Sequence, residues 1–206
     1  MMIPDRDKVP RFAFFASGAA FSRAVFNCLT GRGRIPALVV LPEYPPTRVE
    51  NNLLEVEPAR AFLDLVNGIE LAYAPRSEQE SCARLLRKRD IDYLLVACWP
   101  YLIGQELIQV PHEAALNLHP SMLPEFRGPD PVAAQLEAAN PIFGVTLHLL
   151  DDRFDHGAIV AQSRVTVNET DRDRSVIESK CAEAGVDMFI DAIGSGPAAW
   201  QCRFQQ

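Results

Sequence analysis

Residues 12–17, Phe-Ala-Phe-Phe-Ala-Ser, and residues 36–41, Pro-Ala-Leu-Val-Val-Leu, are short apolar runs of strand length. Between them Gly18 leads into AAFSRAVFNCL, where Phe21, Val25, Cys28 and Leu29 recur at helical spacing. Strand, helix and strand within about 30 residues make a βαβ unit. Fully apolar strands predict a parallel sheet buried on both faces.

The alternation continues outward from that unit. Residues 42–58 hold four prolines and four glutamates and read as a long surface loop. A helical stretch at 59–67, a weak strand at 70–73 and a helix from Ser77 to Lys88 follow, with Ser77 as the N-cap candidate. Asp92–Ala97 is the next buried strand, residues 104–110 are helical, and Ala114–His119 forms another strand. The order of elements predicts an α/β, doubly wound architecture. After it the pattern changes. Pro120, Pro124, Pro129 and Pro131 crowd one loop, and a helix is expected at about 130–139. Phe143–Leu150 and Ala158–Val167 read as two strands joined by DDRFDHG, an antiparallel excursion. A helix from Asp171 to Ile193 follows, burying Val176, Ile177, Cys181, Val186, Phe189 and Ile190. With residues 1–10 as a loose lead-in and 194–206 as a terminal segment, residues 1–206 are expected to form one domain.

Composition sets bounds on function. Of 206 residues, 48% are hydrophobic and 23% charged, a globular balance that argues against disorder. No run approaches the roughly 18 apolar residues of a membrane span, so no membrane partner is expected. The mixed-charge start, MMIPDRDKVPRF, lacks the apolar core of a secretory signal. Cys28, Cys82, Cys98, Cys181 and Cys202 are scattered and odd in number, which points to a reducing, cytoplasmic setting. The net charge of −7 disfavours nucleic-acid binding by the surface as a whole. The densest basic group, Arg84, Arg87, Lys88 and Arg89, reads as a solvated helix face.

Two clusters carry chemistry. Asn117 and His119 stand two residues apart on a strand, so they project from one face about 6.5 Å apart. Burying them without partners would cost roughly 1–3 kcal/mol each. The plain reading is a capped strand end with a hydrogen-bonded core histidine. The second cluster runs from His148 through Asp151, Asp152 and Asp155 to His156 and Gly157; its plain reading is a solvated acidic turn. His112, His119, His148 and His156 all fall near these aspartates, which keeps a zinc site open, although HxH and HExxH spacings are missing.

Together, LNLHPSMLPEFRGPDPV and GVTLHLLDDRFDHGAIVAQ resemble the folate-dependent formyltransferases. That group includes methionyl-tRNA, phosphoribosylglycinamide and sugar N-formyltransferases. Its signature, Asn-x-His-x-Ser-x-Leu-Pro, then Gly-Val/Thr-Thr-x-His and an Asp-x-Gly turn, occurs here in order. The opening FFASGAAFSRAV also resembles the methionyl-tRNA type, so the likeness spans about residues 12–167. The resemblance implies a Rossmann-like, mostly parallel sheet with the formyltransferase-type antiparallel excursion near the C-terminus. It implies 10-formyltetrahydrofolate as formyl donor and no metal. Asn117, His119 and Asp155 take the catalytic positions, with Ser121 and His148 in support. Ala97, Cys98, Trp99, Tyr101 and Leu102, with Leu150, Asp151 and Asp152, lie where relatives hold the pterin. Ser17, Gly18, Arg127 and Gly128 fall on the acceptor side. His156 stands where relatives often carry threonine.

The residue types suit the reaction. Formyl transfer to an amine passes through a tetrahedral state bearing an oxyanion, which the Asn117 amide and a protonated His119 would stabilise. The Asp155 carboxylate would keep the imidazolium charged and relay the amine's proton. The acceptor is expected to be a small amine of sugar-nucleotide or purine-precursor type. Arg127-Gly128-x-x-Pro131 resembles the tRNA and sugar enzymes, whereas Ser17-Gly18-Ala19-Ala20 holds a single glycine, thin for a phosphate cradle. A tRNA partner is not expected, since the chain ends at Gln206, before the β-barrel domain that the resemblance gives the full tRNA enzyme. Hydrolysis of the donor, a non-catalytic folate- or nucleotide-binding domain and a metal hydrolase are the competing readings.

Overall fold

A computed structural model describes residues 9–42, 62–139 and 141–205. Its sheet has seven strands: β1 (Phe12–Ala16), β2 (Leu38–Leu41), β3 (Leu71–Tyr73), β4 (Tyr93–Ala97), β5 (Ala114–His119), β6 (Gly144–Leu149) and β7 (Ile159–Arg164). The helices that accompany them include α1 (Ala20–Gly31), α2 (Gln79–Arg87), α3 (Gln105–Ile108), α4 (Pro131–Glu137) and α5 (Arg174–Ser195). The spatial order is β3-β2-β1-β4-β5-β6-β7. The first five strands pair in parallel and the last two antiparallel, as the sequence predicts.

The apolar strands are apolar because both faces are covered. Successive side chains point to opposite faces, and the residues of β1 divide accordingly. Phe12, Phe14 and Ala16 join the core under α1 and α5. Ala13 and Phe15 join the core under α2 and α3. The edge of Phe12 meets the Phe189 ring of α5 at 5.2 Å between centroids. All five residues of β1 and all five of β4 are buried.

Two expectations change. Ser77 does not cap α2: a short 3-10 turn spans Arg76–Glu78, and Glu78 occupies the N-cap without a side-chain bond. Pro75, at φ −54°, already has helix-like φ, so the chain turns one step earlier than the cap pattern suggests. The terminal segment also does more than turn, since Arg203 bridges antiparallel to Ile159. The proline-rich loop falls outside the described residues apart from its first residue, Pro42. Residues 1–8 and 59–61 fall outside them as well. Residues 62–65 are helical, and Phe62 meets Phe26 edge-on at 5.5 Å.

The chain order reverses between β1 and β4, the position where doubly wound sheets open a crevice beyond their carboxyl ends. The β6–β7 hairpin closes over this end. Gly157 lies so near β6 that a Cβ there would stand 1.7 Å from the Leu149 carbonyl oxygen. Replacing Gly157 with alanine should therefore lower unfolding stability by about 1–3 kcal/mol, the range for overpacking. Urea denaturation of the two proteins measures it; equal midpoints would show that the hairpin yields freely.

Candidate active site

A cavity of about 780 Å³ opens at the carboxyl ends of β1, β4 and β5. Its floor is Asn117 and His119, and Asp155 enters from the β6–β7 loop. Asn117 faces His148 across the β5–β6 pair, and His119 faces Thr146. The Asn117 Nδ2 donates to His148 Nε2 at 3.0 Å, and His148 Nδ1 donates to the Leu149 carbonyl at 2.8 Å. Those two bonds assign a neutral His148 with its proton on Nδ1. Burial, the largest influence, pushes its pKa down to about 4.

His119 donates from Nε2 to the Phe126 carbonyl at 2.9 Å, and its Nδ1 stands 3.4 Å from Asp155 Oδ1. With Nε2 committed as a donor, that contact is attractive when a proton lies between Nδ1 and the carboxylate. Burial lowers the His119 pKa, while Asp155 and the Phe126 carbonyl pull the other way. Burial therefore works against the protonated His119 that the sequence reading expects, and the Asp155 carboxylate beside it works in its favour. Asp155 Oδ2 accepts the Gly128 N–H at 3.0 Å, and Oδ1 is 3.8 Å from His148 Nε2.

The loops around this cluster are tightly held. Thr146 Oγ1 donates to the Ser121 carbonyl at 2.7 Å and accepts the Leu123 N–H at 3.1 Å. Gln162 Nε2 bonds Leu123 O and Thr146 Oγ1, while Gln135 Nε2 bonds Pro120 O and Pro131 O. Ser121 is fully buried and donates to the Glu125 carbonyl at 2.8 Å, so its hydroxyl folds the loop and faces no substrate. Cys98, Phe126 and Asp155 adopt left-handed backbone at φ 57°, 57° and 54°, a conformation that non-glycine residues keep only when their surroundings impose it.

Two wings extend from the cluster. One is built from Cys98–Ile103 and the loop Leu150, Asp151, Arg153 and Phe154. Trp99 and Tyr101 meet edge-on at 5.3 Å, and the Tyr101 hydroxyl is engaged with the Pro42 and Ala74 carbonyls, so it offers only its ring. Trp99 Nε1 is buried with no acceptor among the described residues. The other wing gathers the starts of three helices: Ser17, Ala19 and Ala20 at α1, Asp130 and Val132 at α4, and Arg174 and Glu178 at α5.

Of the residues singled out from sequence, Asn117, His119, Asp155, Cys98, Trp99, Tyr101, Leu102, Leu150, Asp151, Ser17 and Gly128 line the cavity. His148 stands behind Asn117. Ala97 is wholly buried in β4, Asp152 is exposed, Gly18 spends its carbonyl on Arg23, and Arg127 turns away to Gln205. Sequence reasoning missed the trio Asp130, Arg174 and Glu178. Arg174 Nε bonds Glu178 Oε1 at 2.8 Å, and its Nη1 bonds Asp130 Oδ2 at 2.9 Å. An Arg-x-x-x-Glu step opening a helix was the available signal. Among the described residues no group of three or more His, Cys, Asp or Glu side chains is arranged to hold a metal ion. Burial, reinforced by Glu178, pushes the Cys98 thiol up to about 12, which removes a thiolate nucleophile at neutral pH.

Fold and cavity together define a doubly wound α/β protein whose polar cluster sits at the carboxyl ends of its strands. The chain matches the family model described as "Formyl transferase" over residues 10–193, and it belongs to that family. It is 27% identical over 188 residues to a methionyl-tRNA formyltransferase of Paraburkholderia phymatum, covering 87% of this chain and 56% of that protein. The chain thus spans about half the length of the curated relatives it matches. Glycinamide ribonucleotide transformylase 1 of Symbiobacterium toebii shares the fold at TM-score 0.65, with 22% identity, over 90% of this chain and 86% of that one. A 4-N formyltransferase of Francisella tularensis does so at TM-score 0.66, with 17% identity, over 95% and 73%.

The depressed pKa of His148 fixes the sign of a pH effect. A histidine held neutral in the fold stabilises it fully above the unfolded value near 6.5. That stability is lost as pH falls through about 4. Melting temperature should drop between pH 6.5 and 4, and His148→Gln should flatten that drop while lowering stability at pH 7. An unchanged slope in the variant would place the acid sensitivity elsewhere.

Proposed function

We propose that residues 1–206 make up one catalytic domain that moves a formyl group from 10-formyltetrahydrofolate to the amine of a small acceptor. The observation that carries the reading is the meeting of Asn117, His119 and Asp155 where the two wings of the cavity join. The wing of Trp99, Tyr101, Leu102 and Leu150 suits a flat heteroaromatic ring. The folate would supply the activated formyl group; the remaining work falls to side chains. Asn117 has one N–H on His148 and a second available to the formyl oxygen as it gains charge. Asp155 takes the proton of the attacking amine, and the proton shared with His119 is returned to the leaving nitrogen.

A small amine acceptor fits the lining charge better than a nucleic acid does. Asp130, Asp151, Asp155 and Glu178 outnumber Arg153 and Arg174 around the cavity. Such a wall favours an amine and disfavours a phosphodiester backbone. The second reading, an aminoacyl-tRNA acceptor, is favoured by the methionyl-tRNA formyltransferases among the relatives. A cytoplasmic location suits either. Among the described residues no helix is long and apolar enough to cross a membrane.

An acceptor screen with 10-formyltetrahydrofolate, read by loss of the formyl donor, tests the proposal. Transfer to a small amine supports it. Formylation of methionyl-initiator tRNA at a comparable or higher rate favours the second reading, and free formate without any acceptor marks a hydrolase. His119→Ala, Asn117→Ala and Asp155→Ala should each lower turnover by about 10²–10⁴-fold with folate binding retained. A near-native rate for His119→Ala would sink the mechanism. Activity should also survive EDTA, because side-chain donors hold the oxyanion; loss on chelation with rescue by zinc would instead support the metal-hydrolase chemistry.

A further inference from the structure

Residues 203–205 return to the loops around this site, and Arg203 Nη2 donates to Gln162 Oε1 at 2.8 Å. Arg203 exchanges backbone hydrogen bonds with Ile159 at 2.9 and 2.8 Å, adding a short bridge at the edge of β7. Phe204 contributes little to the docking, being 89% exposed. Gln205 is different. Its Nε2 donates to the carbonyls of Asp155 at 3.0 Å and Gly157 at 2.8 Å, and its Oε1 accepts from Arg127 Nη2 at 2.7 Å. Both amide protons and the amide oxygen are thereby engaged.

Those three bonds join two loops. One carries Phe126, whose carbonyl accepts from His119, and Gly128, whose N–H donates to Asp155 Oδ2. The other carries Asp155 itself, at φ 54°. A left-handed aspartate is a disfavoured conformer that relaxes once its neighbours release it. The Asp155 carbonyl is held by Gln205 while the carboxylate is held by Gly128, so the residue is fixed at both ends.

We propose that Gln205 is a positioning residue for formyl transfer, its amide clamping the 126–128 and 155–157 loops so that the Asp155 carboxylate stays against His119. The role rests on the reading in which Asp155 and His119 move the proton. It also reassigns Arg127, expected on the acceptor side, to the clamp.

The test reads the geometry without substrate: an NMR titration of the His119 imidazole in the full chain. Asp155 Oδ1 faces the ring at 3.4 Å and the Phe126 carbonyl at 2.9 Å, with His148 behind Asp155 and Asp151 beyond it. Arg127 is the cation of the neighbouring loop. Gln205→Met exchanges neutral for neutral at similar length, so none of these charges changes. Asp155→Asn should lower the His119 pKa by about 1 unit or more, and Gln205→Met by about half a unit in the same direction. In the Asp155→Asn background Gln205→Met should add nothing, and Phe204→Ser should leave the native titration unchanged. If Gln205→Met melts early, Gln205→Asn, which keeps an amide on a shorter arm, is read by the same criteria.

A native titration in the folded Gln205 variant overturns the proposal. So does a shift of equal size with and without the Asp155 carboxylate. A chain that shows the coupled shift yet forms no formylated product would keep the Gln205 clamp on the Asp155–His119 pair and overturn the reaction it is proposed to serve.

Discussion

The pairing of β5 with β6 is the constraint on which the rest depends. Its register sets Asn117 opposite His148, Leu118 opposite Leu147 and His119 opposite Thr146. Strand periodicity then sorts the residues. Leu116, Leu118, Val145 and Leu147 face the core beneath α5, while Asn117, His119, Thr146 and His148 share the other face. A slip of one residue would exchange those sets and place four polar groups in a dry core, at roughly 1–3 kcal/mol for each one left unpaired. The correct register is therefore strongly specified. It also carries the hairpin that delivers Asp155, 38 positions after Asn117 in sequence but within one polar cluster in space.

Burial at that strand end determines the electrostatics. Each imidazole has one nitrogen tied to a backbone carbonyl, Leu149 for His148 and Phe126 for His119. Those bonds fix the rings and leave the opposite nitrogens for Asn117 and Asp155. Low exposure weakens the case for a standing charge and strengthens every dipole that remains, which is the arrangement a developing oxyanion needs. The left-handed residues around the cavity, Cys98, Phe126 and Asp155, fit the same account. Phe126 and Asp155 are held by hydrogen bonds from His119, Gly128 and Gln205, and Cys98 turns the chain into the cavity wall.

Sequence reading succeeded where the signal is local. Continuous apolar strands announced a sheet covered on both faces, and an Asn-x-His step on one of them announced a polar strand end. It failed where the partner is distant or is a backbone atom. The Phe126 carbonyl has no signature in residue type. Gln205 is 78 positions from Arg127, and Asp130 is 44 from Arg174, so nothing in spacing joins them. Ser121 was read as support for the chemistry because of its place in a motif. The structure shows the same hydroxyl folding the loop onto Glu125. Ser77 lost its cap because Pro75 begins the turn before it.

The segment from Phe126 to Asp130 connects the two functions the cavity must combine. Phe126 O orients His119, Arg127 meets Gln205, Gly128 N–H holds the Asp155 carboxylate, and Asp130 binds Arg174 in the wing of helix starts. Asp130 also caps α4 through Ala133 N–H at 3.2 Å, so it cannot shift without loosening that helix start. Arg174, held between Asp130 and Glu178, is neutralised as an anchor for anions. It acts instead as a rigid strut between α4 and α5. A ligand that displaced Asp130 would pull on Gly128 two residues away, and through it on the carboxylate beside His119. The wing that gathers three helix starts and the His119–Asp155 pair are thus joined by one loop, which in the proposed reaction would tie the choice of acceptor to the geometry of the chemistry.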